Sequence, residues 1–231
     1  MKFARVFANP SADTFSVKPI GAMVKRYLRE SKVSVDPFAR NKRWATHTND
    51  LNPETAAEYH MDAFDFLQML LSNGVQADCV IFDPPYTRRQ VQEVYEQIGR
   101  DYMNVDSQYH SLNWKREREV INQLLSVGGV VLSFGYHSNG MRLIGSYQEE
   151  ELLLVCHGGN HYDTICMVER KQAHQDSLFE LHIPVPSNNA CTRQGVRTGK
   201  KDGLALEPDT VKSVGQRPPP LRVTLAVGLL D

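Results

Sequence analysis

The sequence predicts an α/β fold, a mostly parallel sheet closed by one antiparallel hairpin. Three observations lead there. Short apolar runs alternate with stretches of helical period from residue 18 to residue 134. The run Cys79-Val80-Ile81-Phe82 is cut off by Pro84-Pro85, as expected of a buried strand that ends abruptly. Residues 151–156 and 164–168 are apolar runs separated by His157-Gly158-Gly159-Asn160, turn chemistry that makes a hairpin.

In chain order, residues 1–14 read as irregular, with turn formers Asn9, Pro10, Ser11 and Asp13. Lys18-Pro19 opens a helix, since proline suits a first helical turn, and Ile20, Met23, Val24 and Leu28 form its apolar stripe. Residues 32–35 make a short strand ending in Asp36-Pro37-Phe38. A basic connection, residues 40–44, leads to a second strand at 45–49, stopped by Asp50-Leu51-Asn52-Pro53. His60-Met61-Asp62 ends a third extended piece.

Phe64, Phe66, Leu67, Leu70 and Leu71 then define a helix that closes at Asn73-Gly74. After the strand that reaches Asp83, residues 87–99 carry Val91, Val94, Tyr95 and Ile98 at helical spacing. Residues 114–125 form a further helix, which Gly128-Gly129 is expected to terminate before a strand at 130–134. The catalytic domain is expected over residues 1–171. Residues 172–231 mix Pro, Gly, Lys and Arg without period and are expected to be a largely disordered tail, with one strand-like piece at 221–230.

Composition sets outer bounds. The 231 residues are 41% hydrophobic and 23% charged, which suits an ordinary globular protein. The net charge of −1 means that an anionic partner must be met by a local basic patch. No apolar run approaches the roughly 20 residues of a membrane span. Cys79, Cys156, Cys166 and Cys191 show no CxxC spacing, and a reduced, cytoplasmic setting is expected. Cys156, His157 and His161 offer three ligands without a tight pattern, so no metal site is expected.

Four acids punctuate the strand ends: Asp36, Asp50, Asp62 and Asp83. One such aspartate is most often a helix cap or turn former. Four in succession on one sheet edge would line the crevice at the carboxyl ends of the strands, where open α/β sheets bind ligands. An acid after the second strand is placed to accept hydrogen bonds from ribose hydroxyls. One after the third could accept from an exocyclic amine.

With these residues in view, the chain resembles S-adenosylmethionine-dependent DNA adenine-N6 methyltransferases of the small phage or prophage type. Asp83-Pro84-Pro85-Tyr86 matches the catalytic motif of that family, and Asp36-Pro37-Phe38-Ala39 the start of its cofactor loop. Asp50-Leu51 sits at the ribose-binding acid, and Asp62-Ala63, with Phe64 alongside, where the family contacts the adenine of the cofactor. Phe15-Ser16-Val17-Lys18-Pro19-Ile20 resembles the segment that completes the methionine pocket. The resemblance spans roughly residues 5–171 and implies a Rossmann-like class I methyltransferase sheet, S-adenosylmethionine as cofactor and double-stranded DNA as partner. It departs in two places. The family loop continues Phe-x-Gly-x-Gly, where this chain has Ala39-Arg40-Asn41-Lys42. No target-recognition domain of the usual length is visible.

In that chemistry Asp83 and the Pro84 carbonyl each accept an N–H bond from the target amine, which orients its lone pair. Tyr86 stacks on a base flipped out of its helix. Arg88 and Arg89 are candidate phosphate contacts, and Tyr136 and Asn139 candidate contacts to base or backbone. Two other readings stay open: an RNA methyltransferase acting on an exocyclic amine such as guanine N2, and a non-catalytic module that binds nucleic acid.

Overall fold

A computed structural model of the chain describes residues 1–101, 112, 114–159 and 161–173. The expected tail lies outside the described residues apart from Gln172 and Ala173. So does most of the stretch between the third and fourth helices.

The strands are β1 (Lys2–Phe7), β2 (Ser34–Asp36), β3 (His47–Thr48), β4 (Ala77–Phe82), β5 (Leu125–Gly135), β6 (Tyr147–Cys156) and β7 (Thr164–Lys171). They form one seven-stranded sheet in the order β1-β6-β7-β5-β4-β2-β3. All neighbours pair in parallel except β7, which runs antiparallel to both β5 and β6. The mostly parallel sheet with a closing hairpin is therefore as expected. Apolar β4 sits between β2 and β5, and five of its six residues are buried.

Among the described residues the α-helices are α1 (Lys18–Glu30), α2 (Ala63–Ser72), α3 (Arg88–Gln97) and α4 (Lys115–Leu124). One face of the sheet packs on α1 through Ile20, Met23 and Val24 against Cys79, Ile81, Leu132 and Val155. On the other face, Phe66, Leu67 and Leu70 of α2 meet Val120, Ile121 and Leu124 of α4. Each fully buried side chain of this size contributes about 1.5–3 kcal/mol of transfer free energy. Gly21 of α1 has a specific purpose. A Cβ there would lie 2.4 Å from the Phe15 carbonyl oxygen, so glycine lets α1 press against the single 3-10 turn Thr14–Ser16.

Three expectations fail. Residues 2–7 are not irregular but form β1, in parallel register with β6 from Lys2↔Glu151 to Phe7↔Cys156. The strand is almost wholly exposed along its length and shows no buried face for a pattern to reveal. The extended piece at 60–62 is not a strand: Asn49↔Tyr59 is a lone parallel bridge beside β3, and β3 itself spans only His47–Thr48. Gly128-Gly129 does not cap α4. The helix ends at Leu124 and runs straight into β5, where the glycines accompany a register shift against β4, with Gly128 at φ +84°.

Candidate active site

The chain leaves β2 outward to β3 and returns across it to β4. The connections therefore diverge between β2 and β4, the topological position at which open α/β sheets form a crevice. A cavity of about 660 Å³ opens there. Its lining brings together Pro37 and Phe38 after β2, Asp50 and Leu51 after β3, Asp62 and Ala63 at the head of α2, and Asp83, Pro84, Pro85 and Tyr86 after β4.

The loop after β2 is held by hydrogen bonds that spacing alone does not reveal. Asn49 is fully buried, and its side chain donates to the carbonyls of Pro37 (3.2 Å) and Met61 (3.0 Å) while accepting from the Met61 N–H (3.1 Å). Its backbone bonds to the Asp36 carbonyl (2.9 Å) and the Ala39 N–H (2.8 Å). One side chain thus fixes three strand-end segments together. Phe38 sits edge-on between Phe82 (5.8 Å) and Trp114 (5.5 Å), which builds the cavity floor.

Arg40 stands where the resembling family has its first loop glycine, and it adopts the left-handed φ of +50°. A glycine-type turn survives here without glycine. Its guanidinium donates to the Ala12 carbonyl (2.6 Å) and its N–H to the Asp50 carboxylate (3.1 Å), bonds that hold the unfavourable conformation.

The four acids have different surroundings. Asp36 is 1% exposed. Burial pushes its carboxyl well above the usual range, nearby Asp83 and Asp50 push the same way, and the Phe38 N–H bond (3.0 Å) only partly opposes them. It is not part of the cavity lining, although Pro37 and Phe38 beside it are. Asp50 is also raised by burial, offset by the N–H groups of Asn52 (2.9 Å) and Arg40. Asp62 caps α2, accepting from the Phe64 N–H at 2.9 Å, and still borders the cavity.

Asp83 is half-buried, and desolvation raises its pKa to about 6. Hydrogen bonds from Tyr86 and Thr14, together with the charge of Arg40, pull the other way. The Tyr86 hydroxyl donates to the Asp83 carboxylate. The Tyr86 ring packs edge-on to Tyr136 (5.0 Å), which in turn meets Tyr162 (5.1 Å). The motif is tied to α3 by Gln90, whose side-chain carbonyl accepts from the N–H groups of Tyr86 (2.6 Å) and Thr87 (3.1 Å). Thr87 completes a capping box with Gln90.

Other expected site residues lie elsewhere. Lys18 and Pro19 open α1 and are not in the cavity lining. Phe64 is not in the lining either: its ring carries the Arg116 guanidinium at 4.4 Å. Arg88 and Arg89 are exposed at the start of α3, and Arg89 pairs with Glu93 (2.7 Å). Tyr136 is 38% exposed and Asn139 is exposed, both in the loop after β5. His157 ties the hairpin, contacting the Ala8 carbonyl and the Thr164 hydroxyl at 3.0 Å each. Thr14, Arg40, Asn41, Gln90, Tyr95 and Trp114 also line the cavity, although none of them was an expected site residue. The basic connection and the helix at 87–99 marked their neighbourhoods but not their direction.

No protein-family model and no curated protein matches the chain. Among solved structures it is similar to SMU.776, described as a methyltransferase and solved with SAH, at 14% identity and a TM-score of 0.44 over 64% of this chain and 48% of that one. It is similar to a SAM-dependent methyltransferase from Agrobacterium tumefaciens at 13% identity and a TM-score of 0.41, over 65% of this chain and 60% of that one. TrmN from Thermus thermophilus gives 13% identity and a TM-score of 0.39, over 66% and 48%. The chain spans about half the length of the first of these structures.

Proposed function

We infer that this protein transfers a methyl group from S-adenosylmethionine to the N6 amino group of adenine in DNA. The observation that supports the reading is the cavity at the β2–β4 divergence, whose lining includes Asp83 to Tyr86 together with Asp50 and Asp62.

The residues fit the cofactor. A nucleoside sulfonium offers a ribose diol, an adenine and a positive charge, and the lining offers carboxylates together with the apolar surfaces of Phe38, Leu51 and Ala63. Asp50 would hold the ribose hydroxyls, Asp62 and Ala63 the adenine, and the loop from Asp36 to Phe38 the junction to the methionine portion. When bound, the cofactor supplies an electrophilic methyl carbon. Asp83 and the Pro84 carbonyl would accept the two N–H bonds of the target amine and direct its lone pair. On methylation the target nitrogen would have to give up a proton. An Asp83 carboxyl near pKa 6 is mostly ionised at neutral pH and would be able to accept that proton. Proline at 84 and 85 keeps the accepting carbonyl in a fixed extended geometry. Tyr86 and Tyr136 supply ring surface for the flipped base, and Arg88, Arg89 and Asn139 are candidate backbone contacts.

Incubation with tritiated S-adenosylmethionine and either unmethylated DNA or RNA, followed by nucleoside analysis, tests this. Label in N6-methyladenine of DNA is expected. Label confined to RNA guanine overturns the DNA assignment and supports the RNA alternative. No label and no cofactor binding overturns the enzyme reading in favour of a binding module.

A further inference from the structure

Residues 18–43 contain eight Lys or Arg and two Asp or Glu, a formal +6 in a chain whose total is −1. Of the two acids, Asp36 is buried, so the solvent-facing charge of this segment is almost wholly positive. Burial and contacts sort the cations. Arg26 turns to Glu151 at 2.6 Å, and Arg40 to the Ala12 carbonyl. Lys18, Lys25, Arg29 and Arg43 are exposed and make no ion pair among the described residues.

Two cations of the segment meet one ring. Trp44 stacks on Phe15 (5.9 Å), and both the Lys25 ammonium (4.6 Å) and the Lys42 ammonium (5.4 Å) sit over it. Lys42 also pairs with Asp13 at 3.0 Å, whereas Lys25 makes no ion pair among the described residues and is held by the face of the ring. Beside them Ala22, Lys25, Leu28, Arg29 and Trp44 line a shallow hollow on the outer side of α1. The strip begins in the chain close to the cavity: Arg40 is in the cavity lining, and Lys42 and Trp44 follow it by two and four residues.

We propose that this strip, from Arg40 along Trp44 and Lys25 to Arg29, is a second nucleic-acid contact, tracking the phosphate backbone of the substrate away from the active site. The proposal rests on the nucleic-acid reading above. The occupant is a polyanion rather than a single phosphate, since the charges are spread over about one helical turn of α1, from Lys25 to Arg29, and the loop from Arg40 to Arg43, with no enclosed pocket. It also bears on size: a strip of fixed charge supplies sequence-independent affinity.

The test compares Lys25→Gln/Arg29→Gln/Arg43→Gln with wild type. The control is Lys2→Gln/Arg100→Gln/Lys115→Gln, which changes net charge equally. A fluorescein-labelled duplex DNA of about 30 base pairs, and an RNA strand of the same sequence, are titrated by anisotropy at several salt concentrations. Tritium transfer and cofactor affinity are measured in parallel. Loss of about two to three units from the log K against log salt slope, and affinity about 10–100-fold weaker at low salt, are expected in the first triple variant only. Cofactor affinity stays unchanged in both. Methyl transfer to DNA by the wild type, with equal slopes in all three proteins, overturns the strip and leaves the enzyme reading intact. An equal effect of both triple variants also overturns it, as general charge. A wild type that neither binds nor methylates nucleic acid overturns both.

Discussion

The Tyr86 hydroxyl donates a hydrogen bond to the Asp83 carboxylate, so two residues of one four-residue motif hold each other. The bond occupies an oxygen of the group proposed to receive the target amine. It also favours the ionised carboxylate and opposes the desolvation that raises Asp83 toward pKa 6. Tyr86→Phe removes that donor while keeping a ring. With the donor gone the Asp83 pKa rises, and a carboxylate needed in its charged form is lost at higher pH than before. The acidic limb of the pH–rate profile should move upward, with transfer about 2–5-fold slower near pH 6 and little changed above pH 8. An acidic limb that stays in place would show that Asp83 does not govern it.

Asp83→Asn keeps the shape and removes the charge. Methyl transfer should fall by about 10²–10⁴-fold, while cofactor affinity changes by less than about threefold. Equilibrium binding of S-adenosylhomocysteine beside single-turnover transfer separates the two. A large loss of cofactor affinity would mean that Asp83 holds the cofactor rather than the amine.

Asp36 gives a stability prediction with a definite sign. Its folded pKa is raised by burial above the unfolded value. Such a group contributes stability in full below the unfolded pKa, near 4, and that contribution is lost as pH rises through the folded pKa. Asp36→Asn cannot ionise, so its stability should depend less on pH between 4 and 8. Thermal melts across that range should show wild type losing ground to the variant as pH rises.

Asn49→Ala strips the buried hub that joins the Pro37 and Met61 segments. Leaving those backbone groups without partners should cost about 3 kcal/mol in urea denaturation. Cofactor affinity should weaken together with stability, because the same bonds set the distance between the loop after β2 and Asp62. Unchanged affinity in a destabilised variant would separate the hub from the cavity.

The elements legible in the sequence are those whose burial is written locally. β4 is an apolar run with a proline stop, α1 a stripe with a proline start, and β6 and β7 two runs around glycines. The acids were legible as a series because each stands at an element boundary: Asp36 ends β2, Asp62 caps α2 and Asp83 follows β4. β1 was not, because an edge strand with Phe3 64% and Phe7 75% exposed has no inside-outside alternation to read. Gly128-Gly129 misled because the same dipeptide serves a helix end or a bulge, and only pairing with β4 decides between them. Phe64 points away from the cavity although Ala63 lines it, a helical rotation of about 100° per residue that a motif match ignores. Asn49 and Gln90 act through backbone groups, and side-chain patterning carries no signal for that.

The pairing of β1 with β6 has a consequence for how the molecule is made. Lys2 finds Glu151 only after nearly the whole described chain has been synthesised, and β6 is held in the sheet by β7, which ends at Lys171. At translation rates of about 5–20 residues per second, the first strand waits roughly ten seconds or more for a partner. The strand that precedes all the others described is thus among the last to join the sheet. Pulse-labelled hydrogen exchange during refolding should find the amides of residues 2–7 protected after those of β4 and β5.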